Sequence, residues 1–201
     1  MNAQNEIIST ADFDARREVI VKWIGVLFVC QIASVVTTAL AGVAALNAVA
    51  VWAARGVSIA AIAALFHLAE VHERYRKAAI LSAIALVGGI VTGLLKLESL
   101  SLVLSICSIA ATYQELHAHA ELTEPKDEKL SRRWRALFWY EIVAGLFAGF
   151  FATVAVMVAA FAQIDQDTIV SLAVIAAAVV TAIVALVRVL YLKQTLALYQ
   201  E

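Results

Sequence analysis

Proline is almost missing from this sequence: Pro125 is the one example in 201 residues. Cysteine is limited to Cys30 and Cys107, glycine to eight positions, and charged side chains to 15% of the chain. Each scarcity excludes something. A soluble domain carries about 25% charged residues; here they are too few and too clustered to solvate a globular surface. The two cysteines are far apart, lie inside apolar stretches and form no CxxC pair, so they suit neither a disulfide framework nor a thiolate metal site. They read as small apolar core residues. With proline confined to a connection and glycine sparse, nothing suggests the broken helices of many transporters. A net charge of −1 gives no basic surface for nucleic acid. There is no Gly-rich phosphate loop, no plausibly spaced Ser/His/Asp arrangement and no HExxH.

What is abundant is apolar: 63% of the residues are hydrophobic and mean hydropathy is +0.89. Six uncharged or nearly uncharged runs, at about 20–46, 50–68, 78–95, 100–113, 137–162 and 169–192, alternate with short charged segments. A membrane-crossing helix needs about 20 residues, and in lipid every amide must be paired within its own segment. The third and fourth runs are short and must recruit flanking residues. The expectation is an all-α integral membrane protein, a bundle of six transmembrane helices arranged as three hairpins. Residues 1–18 form an N-terminal cytoplasmic or interfacial segment and 19–201 the membrane domain. Ser9 and Asp12 have capping-box spacing, and Ile7, Ile8 and Phe13 give this segment a partly apolar face suited to a short interfacial helix. Its acidic residues Glu6, Asp12, Asp14 and Glu18 are unlike a short basic leader, so the first run reads as a true span.

Charge orients the bundle. Thirteen of the fifteen basic residues fall on one side: before run one, between runs two and three, between runs four and five, and at the end of run six. Arg55 and Lys96 fall on the other. By the positive-inside rule both termini are cytoplasmic. Trp23, Trp134, Trp139 and Tyr140 sit where a cytoplasmic aromatic belt would. The outer turns are tight, and the polar stretch 120–135 reads as a cytoplasmic loop able to dock a partner.

Three features could carry chemistry. Ser101, Ser105, Ser108, Thr112, Glu115 and His119 recur at steps of three and four, which places them on one helical face of the fourth span. With Glu141, just inside the fifth run, they are candidates for a polar path; Gln31, Ser34 and Thr38 make a weaker stripe in the first span. The competing reading is hydroxyls bonded to their own helix backbone. A buried Glu141 would need a partner, and Arg188 and His117 are the candidates. Second, His67, Glu70, His72, His117 and His119 cluster at the cytoplasmic ends of spans two and four. They are candidates for a proton relay or a divalent metal such as zinc. Glu70 with Arg74 and Glu73 with Lys77 would instead be ordinary ion pairs of a solvated boundary. Third, Gly89–Gly93 and Gly145–Gly149 are GxxxG pairs, expected to pack inside the bundle, with an oligomer face as the alternative.

Three function classes follow. A non-catalytic helper or assembly subunit of a membrane complex leads, because the chain is small and free of catalytic motifs. A small oligomeric transporter or channel with a path along helix four comes next, and a metal-dependent membrane enzyme third. The expected surroundings are a lipid bilayer, with a homo-oligomer or membrane-protein partner and no nucleic acid. High alanine content and the lack of targeting signals suggest a bacterial inner membrane.

Overall fold

A chain of uncharged runs punctuated by short charged segments satisfies its amides in lipid by coiling each run on itself. In the computed structural model, which describes residues 10–41, 44–96, 98–162 and 166–200, that is the outcome. Six helices follow one another: α1 (Thr10–Ala41), α2 (Asn47–Leu68), α3 (Glu73–Leu95), α4 (Ser101–Thr123), α5 (Glu128–Ala162) and α6 (Gln166–Gln200). Short 3-10 turns lead into α2 and α4, and no strand occurs among the described residues. Among the described residues, four helices are long and apolar enough to cross a membrane: α1 over Arg16–Leu40, α2, α3, and α6 over Val179–Gln200. Helix α4 matches α3 in length at 23 residues, but its last third is polar.

Each helix packs on its chain neighbours and α1 packs on α6, so the six close into a ring in chain order. The contacts of α1 with α2, α3 with α4 and α5 with α6 are the most extensive. Connections are short. Lys96 ends α3 in the left-handed conformation (φ 53°, ψ 38°), returning its amide to Thr92. The Asp127 carboxylate accepts from the Leu130 amide at 3.0 Å and caps the start of α5. At the other end of the chain, Arg17 Nε and Lys126 Nζ donate to the last carbonyls of α6, at Tyr199 (2.6 Å) and Leu198 (2.7 Å).

The core lies at one end of the ring. It is built by Ile20, Ile24 and Leu27 of α1, Leu65 and Leu68 of α2, Tyr75 and Ala78 of α3, Leu116 of α4, Leu130, Trp134 and Leu137 of α5, and Leu192 of α6. This is the end that carries most of the basic residues. Toward the other end, large apolar side chains such as Trp52, Leu94, Leu102 and Phe150 are exposed in the isolated chain, as surfaces facing lipid are.

Several sequence expectations change. Trp134 is not part of an aromatic belt: it is fully buried, whereas Trp139 and Tyr140 are 64% and 61% exposed. Leu130, Trp134, Leu137 and Phe138 are buried at helical spacing, so this stripe continues the core under the arginines. The polar stretch 120–135 is not a loop; α4 and α5 run into it and only residues 124–127, including Pro125, connect them. The separate interfacial helix over 1–18 is replaced, from Thr10 onward, by a continuous α1, since nothing in the segment breaks a helix; Ser9 lies outside the described residues. The GxxxG glycines do not pack inside the bundle: an added Cβ at Gly89, Gly93, Gly145 or Gly149 meets nothing within 4 Å. Gly88 is the tight one, pressed against the Leu104 side chain where α3 and α4 meet.

Candidate functional site

The polar face of α4 divides into two parts. Its outer part is exposed in the isolated chain, and Ser105 donates its hydroxyl to the Ser101 carbonyl of its own helix at 2.9 Å. Glu115 is half-buried, and Ser108, exposed in the isolated chain, borders the same space. With Ser58 of α2, Ser82 of α3, Leu27 and Leu65 they line a cavity of about 300 Å³. Thr112 is half-buried between them. A second cavity of about 340 Å³ lies between α1, α5 and α6, lined by Gln31, Glu141, Thr181 and Arg188. It shares Gln31, Thr181 and Ala185 with a third space of about 410 Å³ that reaches Ser34 and Thr38. The weaker first-span stripe is thus a cavity wall.

An ion cluster stands between the first two cavities. Arg188 Nη2 lies 2.6 Å from Glu115 Oε1, and Arg188 Nη1 lies 3.6 Å from Glu141 Oε1. Of the two candidate partners for Glu141, Arg188 is the one in place; no contact joins Glu141 to His117 among the described residues. Three helices are tied together here: α4, α5 and α6. Arg188 Nε is buried without a hydrogen-bond partner.

Behind Glu115, toward the basic end, the layer is dry and aromatic. His119 is fully buried; its Nδ1 is 2.8 Å from the Tyr75 hydroxyl. Its Nε2 points at Glu115 Oε1 across 3.8 Å and has no hydrogen-bond partner. The imidazole stacks on Trp134, whose Nε1–H donates to Thr195 Oγ1 at 3.0 Å. Tyr199 closes the layer by donating to the Leu122 carbonyl at 2.7 Å. Glu115 and His119 share a face, as their spacing of four requires.

The other histidines are dispersed. His67 stacks on Trp23 at 4.0 Å, and His117 Nδ1 lies 3.0 Å from the Tyr113 carbonyl. His72 precedes α3: its Nδ1 accepts from the Arg74 amide and its Nε2 pairs with Glu121 at 2.9 Å. Because α2 ends at Leu68 and α3 begins at Glu73, Glu70 shares no helix with His67 or Arg74. Arg74 pairs instead with Glu121 at 2.9 Å and Gln114 at 3.0 Å, while Glu73 and Lys77 do pair, at 3.1 Å. Among the described residues no three His, Cys, Asp or Glu side chains come together as a metal site.

Sequence reasoning reached Glu115, Glu141, His119 and Arg188 but not Tyr75, Trp134 or Thr195. The missed signal was the apolar stripe at 130, 134, 137 and 138, interrupted in the sequence by three arginines on the opposite face. The fold and site define an all-helical protein, with helices suited to crossing a membrane and a half-buried ion cluster set between two polar-walled cavities. No protein-family model, curated protein or solved structure matches the chain.

Proposed function

We propose that this chain is a six-span carrier or channel for a small polar solute, with Glu115, Arg188 and Glu141 at the floor of its cavities. The observation that carries this reading is the meeting of two cavities on one half-buried ion cluster. Burying charged groups costs several kcal/mol per ion before any partner is found, and charges at membrane depth are a functional hypothesis by default. A subunit serving only to hold others together has no need of that expense. Helices α4 and α5, at 23 and 35 residues, have the length for the remaining two crossings. With most basic residues at one end, both termini lie in the cytoplasm of a bacterial cell whose inner membrane holds the bundle.

The test is a stability screen in mild detergent against small amines, polyols, amino acids and inorganic ions. A true solute raises the unfolding temperature, and Ser108→Leu, which fills the cavity, removes that gain. No stabilising solute, or undiminished stabilisation of Ser108→Leu, would count against the reading.

The assembly-subunit reading has its own supporting observation. Trp139, Tyr140, Phe147, Phe150 and Phe151 are exposed along α5, beside an apolar groove of about 380 Å³. Extended exposed apolar faces mark interaction surfaces in water, and here either lipid or a partner helix covers them. Native mass spectrometry of the tagged protein from its own membrane decides: a stoichiometric second protein supports this reading and its absence removes it.

A further inference from the structure

We infer that the Glu115–Arg188–Glu141 cluster holds one exchangeable positive charge, a proton or a small monovalent cation, at Glu141. The inference rests on the carrier reading for the site, but it concerns occupancy rather than flux.

Two carboxylates and one guanidinium leave one net negative charge, and among the described residues no other lysine or arginine is paired with either carboxylate. The surroundings are helices packed through Leu27, Leu65, Val184 and Ala185. An uncompensated charge in such a setting is expensive, and proteins remove it by binding a proton or a counter-ion.

Geometry then chooses between the two carboxylates. Glu115 is engaged: its Oε1 meets Arg188 Nη2 at 2.6 Å. Glu141 stands 3.6 Å from the guanidinium and faces the cavity lined by Gln31 and Thr181. The excess charge belongs to the carboxylate that Arg188 serves less well, and that carboxylate has the open space beside it. Facing Glu141 are Arg188 from α6, Glu115 from α4 and the uncharged Gln31 from α1.

His119 is the other group able to carry a proton here. Its Nε2 is buried, aimed at Glu115 from 3.8 Å, and without a hydrogen-bond partner. A doubly protonated imidazole donates from both nitrogens, and this one has no acceptor within bonding distance at Nε2. Stacked against Trp134 and bonded to Tyr75, it is also sealed from both cavities. Of the two groups, Glu141 is the one with open space beside it.

Infrared difference spectroscopy of the full chain in lipid nanodiscs tests this, since a protonated carboxyl absorbs apart from a carboxylate. For a proton, the carboxyl band is present at neutral pH, disappears on alkalinisation, and is kept in His119→Gln but lost in Glu141→Gln and in Glu115→Gln, since either change leaves one carboxylate balanced by Arg188; Glu141→Asp, which keeps the charge, shifts the band, and Glu115→Asp leaves it in place. For a cation, no such band exists, yet sodium chloride or methylammonium chloride shifts a carboxylate band saturably, and Glu141→Gln abolishes the shift. Glu141→Gln keeps the shape of the side chain and removes the excess charge, so it folds. A band that survives Glu141→Gln, that vanishes in His119→Gln, or that shifts with Glu115→Asp and not with Glu141→Asp overturns the assignment. So does the absence of both the band and any salt response. Solute stabilisation without either signal overturns this inference alone; a clear signal with no solute found overturns the carrier reading alone.

Discussion

The Trp134 indole lies 4.6 Å from the His119 imidazole, inclined by 27°, and donates to Thr195 across 61 sequence positions. One side chain of α5 thereby holds α4 and α6 together. Trp134→Phe keeps the stack but leaves the buried Thr195 hydroxyl unpaired, a loss of about 1–3 kcal/mol. Trp134→Ala adds a cavity and costs about 3–5 kcal/mol. The check is the unfolding midpoint in mild detergent, beside Trp139→Phe, which alters an exposed ring and shifts little. Equal losses at 134 and 139 would contradict the placement of the core.

Removing one member of a half-buried ion pair strands the other. Arg188→Met leaves Glu115 and Glu141 without their cation and costs about 1–3 kcal/mol. Adding Glu115→Gln and Glu141→Gln to that variant recovers part of the loss, because no charge is then left uncompensated. A double-mutant cycle measures the coupling; strictly additive losses would mean the three groups do not act together.

Much of this was legible beforehand. Helix number and neighbour pairing follow from the alternation of uncharged and charged segments. The pairing of Glu141 with Arg188 follows from the need of a carboxylate within an apolar run for a cation at similar depth. The position of Trp134 was hidden because its neighbours Arg133 and Arg135 belong to exposed faces of the same helix turn. A linear reading averages over faces that the helix separates. Glu70 misled for the converse reason: spacing of four from Arg74 implies contact only if one helix contains both, and a turn at 69–72 lies between them. The glycine pairs misled because close approach depends on which face meets the neighbour, and that face carries Gly88.

Gly88 and Gly89 provide a comparison within one helix turn. Gly88→Leu drives a side chain into Leu104 and costs about 1–3 kcal/mol through overpacking. Gly89→Leu meets open space and leaves the unfolding midpoint near that of the parent, or raises it, since glycine is the poorer helix former. The reverse order would show that α3 turns a different face to α4.

The membrane crossing of α4 is checked by labelling. In a Cys30→Ala, Cys107→Ala background, Ser99→Cys and Lys129→Cys place thiols at exposed positions beyond its two ends. A membrane-impermeant maleimide added to intact cells should label Ser99→Cys, and should reach Lys129→Cys only after lysis. Labelling of both from one side would leave α4 lying within one leaflet and undo the six-span topology.

Because the side-chain core occupies one end of the ring, the two halves of the molecule answer to different rulers. The end around Trp134 has its spacing fixed by interlocked rings and hydrogen bonds. The outer halves of the helices have few such constraints, and the pressure of surrounding acyl chains sets how far apart they stand. The bilayer becomes a structural component of the cavities, whose width changes with chain length and lateral tension while their charged floor stays in place.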